Sequence, residues 1–414
     1  MKEYLPLDYL CIDISNHFGH DKLLFEDRIQ WVKDNYTQLE QLADKADVKP
    51  LYLKAVYELR NVVAGKPTGH IVHLDATCSG IQLLSAMAGC AAGADATGLV
   101  SHKRADAYTD VTREMNKILQ LRGMSTIVVP RADVKRAMMT SVYGSTAVPK
   151  EVFGEGDLLD IFYAAVAVVA PAAFELMTAL LHTWQPYALQ HSWVMPDNHH
   201  VMIKVLEQKE TRIEVDELNH ATFTTYVTVN QGTEKGVANV ANVTHSVDAY
   251  VLRSVIRRAS FDVKKVQEAY QILAADIDRR SEGYDPIEAT ITDELQTMLD
   301  IYKYSQMIDV SILDYIDETQ VQFIPNELLI KLHNTVYEML ARGSSPVVTV
   351  HDSFGSLPSH CNTVRYWYKE ICAELAESNM LAFLVSQITG KRVTYVKKSN
   401  DLGNKIRNSS YGIC

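Results

Sequence analysis

An α/β protein, mostly helical with one small antiparallel sheet, is what these 414 residues predict. Three observations carry that expectation. Long stretches repeat apolar residues at helical spacing. Two short β-branched runs, IVHLD (71–75) and PVVTV (346–350), each finish at or beside an aspartate. Apolar residues make up 47% and charged residues 22%, the balance of a folded globular chain rather than a disordered one. The length suits two or three lobes or one large composite domain.

The elements follow in order. Residues 1–70 read as helical around one glycine-centred turn, with Phe25, Ile29 and Val32 on one stripe of 25–43. IVHLD reads as a strand, and GIQLLSAMAG (80–89) as a small-residue helix bracketed by glycines. Residues 103–122 form a polar amphipathic helix, and TIVVP (126–130) is extended. RADVKRAMMTSVYG (131–144) is a helix that starts at Pro130 and stops at Gly144. The Ala/Val/Leu-rich segment 157–182 predicts one buried helix. SWVMPDNHHVMIKV reads as two strands about a turn, with His199 and His200 as turn residues rather than a metal pair. TFTTYVTVNQGTEKGV (222–237) is a β-hairpin or an exposed loop. Helical texture fills 245–342, PVVTVHDSFGSLP (346–358) gives two short strands about a tight turn, and a helix near 362–388 precedes a polar tail.

Composition excludes several classes. No run of about 18 uncharged apolar residues suggests a membrane span, and the N-terminus lacks the features of a signal peptide. The six cysteines are scattered without a CxxC, which argues against a disulfide framework or zinc knuckle and for a reducing cytoplasm. The net charge of −11 argues, on its face, against a nucleic-acid partner.

Local patterns argue the other way. Asp75 ends an apolar strand, and Asp352 sits in a turn between two. Such acids either bond local backbone or, brought together by adjacent strands, bind a divalent metal. On the 131–144 helix, Lys135 lies one turn beyond Arg131. Tyr143 lies about 12 Å further along the axis and roughly 80° round. That face suits a nucleoside triphosphate, with cations on the phosphates and an aromatic at the sugar. It equally suits a solvated basic face with a core tyrosine.

Taken together, the segments resemble the single-subunit DNA-directed RNA polymerases of phages and mitochondria. DATCSGIQLLSAM (75–87) is similar to that family's first palm motif. RADVKRAMMTSVYGS (131–145) is similar to its fingers helix, Arg-x3-Lys-x7-Tyr-Gly. HSVDAYVLR (245–253) and HDSFGSLP (351–358) resemble its His-Ser-x-Asp motif and second catalytic turn, all in the family's order. NHFGHDKLLFEDRIQWVKDN (16–35), HSWVMPDNHH (191–200) and SSYGIC resemble further family stretches.

The resemblance implies a right-hand fold of palm and fingers. Asp75, Asp352 and the Ala76 carbonyl would hold two Mg²⁺ ions. Arg131, Lys135 and Lys22 would bind the triphosphate, Lys135 as general acid. Tyr143 would monitor the ribose 2′-hydroxyl, and His245 and Gly144 would meet nucleic acid. The implied division is 1–70 N-terminal helical segment, 71–100 first palm part, 101–190 fingers, 191–258 fingers–palm region with a specificity hairpin, 259–345 insertion, and 346–414 second palm part and tail. DNA template, nascent RNA and ribonucleoside triphosphates are the implied partners.

Two departures stand out. The family's promoter-contacting region, thumb and Asp-x-x-Gly-Arg element are missing, which implies a split enzyme, with this chain as the larger, catalytic subunit. A second subunit would supply those parts, and a single-stranded-DNA-binding or recruiting accessory protein could deliver template. A truncated chain is the alternative. The other departure is the segment 259–345, where seven basic residues face sixteen acidic ones. It therefore carries −9 of the −11 and leaves the remainder at −2. It reads as a helical addition outside the nucleic-acid channel. The rival functions are a DNA polymerase or primase-like enzyme, a non-catalytic scaffold subunit, and an acidic protein-binding module.

Overall fold

A computed structural model describes residues 1–234, 236, 238–283 and 286–414. Lys235 and Val237, at the end of the expected 222–237 hairpin, lie outside the described residues. So does Asp285, one of the acids of the insertion. The chain begins with α1 (Pro6–Ser15), α2 (Phe25–Asp34) and α3 (Lys49–Val63). Phe25, Ile29 and Val32 are buried along α2, as their spacing predicts. Strand β1 (Val72–Asp75) leads into α4 (Ser79–Ala88), whose ten residues are all buried. Then come α5 (Ala91–Ala96), α6 (Ala107–Leu121), α7 (Arg131–Ser141) and α8 (Ala147–Phe153). The Asp106 carboxylate caps α6 by accepting from the amides of Tyr108 (3.1 Å) and Thr109 (3.3 Å). Ala107, Val111, Met115 and Leu119 form its buried stripe. TIVVP joins no strand. Asn116 clamps Val129 on both its N–H (2.9 Å) and its carbonyl (3.0 Å) instead.

The expected single helix over 157–182 is two, α9 (Asp157–Val169) and α10 (Pro171–Leu181), bent by 115°. Pro171 has no amide to continue α9 and stands at the first turn of α10, where none is needed. No single described helix is long and apolar enough to cross a membrane. Strands β2 (Gln190–Val194) and β3 (His200–Lys204) pair antiparallel about the Pro196–Asn198 turn, with His199 and His200 exposed. The next hairpin begins earlier than the sequence suggests. Strand β4 (Leu206–Val215) pairs along its whole length with β5 (Ala221–Asn230). This two-stranded ribbon bonds to no other described strand.

Helix α11 (Ala238–Ala259) crosses the core, and the insertion adds α12 (Val263–Ser281), α13 (Asp293–Ser305) and α14 (Asn326–Arg342). Its acids are not all at the surface. Asp276 and Asp309 are fully buried. Asp276 accepts from Arg279 and Arg280, while Asp309 accepts from Arg257 (2.9 Å) and Ser254 (2.5 Å) on α11. Asp309 thus ties the insertion to α11, while the Asp276 pairs lie within the insertion itself.

Strands β6 (Val347–Val350) and β7 (Ser353–Ser356) complete a sheet of order β1-β7-β6, antiparallel throughout. Helices α15 (Cys361–Glu377), α16 (Met380–Thr389) and α17 (Leu402–Asn408) close the chain. The polar-looking tail is a core element. Tyr411, Ile413 and Cys414 are buried, and Tyr411 stacks on Phe25 at 4.8 Å. Gln82, inside α4, donates to the carbonyls of Thr97 (2.8 Å) and Gly412 (3.0 Å). Ile413 bridges to Ala76, which sets the tail beside the end of β1.

Candidate active site

Strand β1 is buried on one face only: Val72 and Leu74 point inward, His73 and Asp75 outward. The alternation that hides the apolar residues therefore presents Asp75. Asp75 lies opposite Ser353, the residue after Asp352. The Ala76 amide donates to the Asp352 carbonyl at 3.2 Å. Both acids consequently stand at one end of the sheet. Val350 pairs with Ser353, so His351 and Asp352 form a two-residue turn. His351 has φ 55°, which such turns favour at their first position. Cys78, just before α4, has φ 56°. Left-handed backbone at a non-glycine residue costs roughly 1–2 kcal/mol. Both instances flank the acids.

A cavity of about 860 Å³ opens over them. Asp75, Ala76 and Asp352 line it, and so do Lys22, Arg131, Lys135, Tyr143 and His245. Gly144 is the one expected site residue outside the lining. Its φ of 87° serves the end of α7. The Gly144 amide donates to Ser141 (2.9 Å) and the Ser145 amide to Thr140 (3.2 Å), a Schellman turn. Tyr143 therefore lies beyond the last regular turn of α7 rather than on it, and the glycine fixes its direction. The Tyr143 ring packs against His245 at 4.7 Å. A Cβ on Gly80 would come within 2.9 Å of the Tyr143 hydroxyl, so the glycine of the DATCSG run makes room for it.

The cationic wall is held in place. The Asp106 carboxylate accepts from Arg131 Nε (2.8 Å) and Nη2 (2.7 Å), leaving Nη1 for another acceptor. Burial opposes ionisation of Asp106, but hydrogen bonds from Thr109 and Arg131 outweigh it and lower the pKa. Lys135 is exposed in the cavity, whereas Arg136 points to Glu151. Lys22 pairs with its neighbour Asp21.

Several lining residues escaped the sequence reading. Asp248 stands three residues after His245, hence on the same face of α11. Burial, with the Asp352 charge adding to it, pushes its pKa from 3.8 up to about 6. Asp352 is raised as well, by burial first and Asp75 second, against a hydrogen bond from Ser79. Arg104 donates to the Thr77 hydroxyl at 2.5 Å beside Asp75. The HSWVMPD stretch acts indirectly by fixing α11. Trp193 donates to Ser246 (3.0 Å), and Asp197 accepts from Arg253 (2.6 Å) and Arg257 (2.9 Å).

The donor set suits a hard cation. Among the described residues no basic side chain forms an ion pair with Asp75, Asp248 or Asp352. The bonds of the Ala76–Ile413 bridge run between Asp75 and Cys414, so the Ala76 carbonyl is not used in it. The carboxylates of Asp75 and Asp352 and the Ala76 carbonyl are hard oxygen donors that fit Mg²⁺, although His73, Cys78, His351 and Cys414 share the lining. A second acidic group, Glu214, Asp216 and His220, lies exposed at the tip of the β4–β5 ribbon and contributes nothing to the cavity.

Comparison with known proteins covers the first part of this site. Residues 5–167 match the family described as DNA-dependent RNA polymerase. The DNA-directed RNA polymerase of Pseudomonas phage phiKMV is 29% identical over 34% of this chain and 21% of its own length. A probable DNA-directed RNA polymerase of Neurospora crassa is 31% identical over 34% of this chain and 18% of its own. The mitochondrial DNA-directed RNA polymerase of Schizosaccharomyces pombe is 30% identical, again over 34% of this chain, and over 14% of its own length. The match thus spans about a fifth or less of these relatives. The family match, residues 5–167, includes Asp75, Arg131, Lys135 and Tyr143, and ends before His245, Asp248 and Asp352. The pairing of β1 with β7 is what joins Asp352 to the matched part. Residues 5–167 of this chain are thus similar to the DNA-dependent RNA polymerase family.

Proposed function

We propose that the chain is the catalytic part of a DNA-directed RNA polymerase, a nucleotidyltransferase that extends RNA on a DNA template. One observation carries the reading. Asp75 and Asp352, from distant parts of the sequence, adjoin in a cavity that also carries Arg131, Lys135 and Tyr143. In palm-and-fingers terms, the β1-β7-β6 sheet would be the palm, and the α7 wall the fingers.

Asp75, Asp352 and the Ala76 carbonyl would hold two Mg²⁺ ions. When bound, Mg²⁺ lowers the pKa of an attacking hydroxyl and neutralises leaving phosphates. Arg131, steadied by Asp106, directs Nη1 to a phosphate oxygen. Lys135 stabilises the charge that develops on pyrophosphate and donates a proton to it. Lys22 adds a further cation to the lining. Tyr143 meets the ribose, where the 2′-hydroxyl separates RNA from DNA precursors. His245 backs the Tyr143 ring and faces the RNA–template end. A second polypeptide with the Asp-x-x-Gly-Arg element and thumb, an accessory protein for template delivery, and a host-cell cytoplasmic setting are carried over from the resemblance.

Extension of a primed DNA template tests the reading. The protein, alone or with that second polypeptide, should add ribonucleotides and discriminate against deoxyribonucleotides. Tyr143→Phe should weaken the discrimination. Equal use of both nucleotide types by the parent protein would favour a DNA polymerase instead.

A further inference from the structure

Asp13 carries an arrangement that the roles above leave unused. It lies on α1, is 3% exposed, and has an imidazole at each carboxylate oxygen. His70 Nε2 is 2.7 Å from Oδ2, and His17 Nε2 is 3.4 Å from Oδ1. His17 follows Asp13 by four residues, in the π-helical turn Asn16–His20 that continues α1, and comes back beside it there. His17 is a quarter exposed and, like Asp13, lines the catalytic cavity.

The chemistry singles out His17. A buried carboxylate needs a compensating positive charge. Among the described residues, its only ion-pair partners are these two histidines. His70 is buried and its Nδ1 has no hydrogen-bond partner. A protonated Nδ1 there would be an unsatisfied buried donor, which is costly. His70 therefore meets Asp13 through Nε2 alone and is poorly placed to hold a second proton. His17, a quarter exposed in the cavity, is the better placed of the two imidazoles to balance Asp13, and its Nε2 contact leaves Nδ1 for another partner. Hydrogen bonding from His17 and His70 keeps Asp13 ionised against the cost of its burial.

The cavity has use for such a donor. Arg131 and Lys22 each share their donors with a carboxylate, Asp106 and Asp21, so the many oxygens of a triphosphate leave room for a further donor beside them and Lys135. We propose that His17, oriented by Asp13 and backed by His70, is a phosphate-contacting residue for the incoming ribonucleoside triphosphate. This rests on the polymerase reading above. Asp13 is a positioning residue that acts through His17.

The test separates that phosphate from a phosphate of the nucleic-acid backbone. KM and kcat for ribonucleotide addition, and Kd for primed template, are measured for the parent, His17→Gln, His17→Arg and Asp13→Asn. His17→Gln should raise KM about tenfold, the value of one charged hydrogen bond, with kcat and template Kd within twofold. His17→Arg should recover most of the loss. Asp13→Asn should raise KM in the same direction and add little to His17→Gln in the double variant. An unchanged KM in His17→Gln overturns the proposal. A raised template Kd with unchanged KM overturns it too, in favour of a backbone contact. If the parent protein adds no nucleotide, the polymerase reading has failed. Direct equilibrium binding of ATP then decides the His17 contact: weaker binding in His17→Gln sustains it, and equal binding refutes it.

Discussion

Replacing Asp248 by asparagine is expected to stabilise the protein while harming its site. The fold holds this carboxylate against its own preference, partly buried and facing Asp352 with no basic partner. Its pKa rises from 3.8 to about 6. At ~1.4 kcal/mol per pH unit that corresponds to about 3 kcal/mol once the group is fully ionised. The folded state binds the proton more tightly than the unfolded state does. Stability therefore falls as pH rises from about 4 to about 6, and the whole penalty is present above that window. Asparagine resembles the protonated acid and never acquires the charge. The Asp248→Asn variant should exceed the parent by about 3 kcal/mol at pH 8 and match it below pH 4. Urea unfolding across that range, without divalent metal, measures the difference. Mg²⁺ should narrow it, because a cation among the carboxylates stabilises the parent more. A variant no more stable at pH 8, or one with the same gain at pH 4 and pH 8, would refute the reasoning.

Three further outcomes are expected. Gly80→Ala places a methyl group 2.9 Å from the Tyr143 hydroxyl, so the ring must shift. Selection of ribose over deoxyribose should fall severalfold, as competition between the two nucleotide types would register. Asp106→Ala removes the α6 cap and frees Arg131, so stability should drop by about 1–2 kcal/mol and KM for ribonucleotides should rise severalfold. Denaturant titration and steady-state kinetics would separate the two effects. Asp309→Ala removes a buried acceptor from Arg257, which keeps Asp197, and from Ser254, and should cost about 1–3 kcal/mol in unfolding. Its nucleotide binding should stay near the parent's, since no residue of 259–345 lines the cavity; a selective loss of binding would contradict that.

Some of this was legible in the sequence. Asp75 and Asp352 could be found because each ends a short apolar run, and the β1 to β7 pairing turns two local signals into one place. Arg131, Lys135 and Tyr143 lie within fourteen residues of each other, so local periodicity reaches them. Asp248 was visible inside HSVD, one helical turn after His245. Its importance comes from a neighbour more than a hundred residues away, which spacing cannot reveal. Asp106, Arg104 and Asp13 escaped because Arg131, Thr77 and His70, 25 to 57 residues away, are brought beside them only by the fold. Gly144, which the resemblance sets against nucleic acid, has a positive φ that ends α7. Strand β4 escaped because LEQKETRIEV is polar on both faces, as a two-sided exposed ribbon allows. The broken 157–182 helix was signalled by Pro171 and masked by the apolar run around it. The tail looked like surface because its burial depends on packing against Phe25 and Gln82, far back in the chain. The −11 charge described the insertion more than the cavity, where acids and cations occur together.

The most direct test of the central claim is the single-turnover rate of ribonucleotide addition to a primed DNA template, measured against Mg²⁺ concentration. The parent, Asp75→Asn and Asp352→Asn would be compared, with any second subunit present. If the two carboxylates form one metal site, the parent rate saturates with Mg²⁺, and both variants lose at least about a hundredfold while remaining folded. Addition that persists at the parent rate in Asp352→Asn would contradict the account.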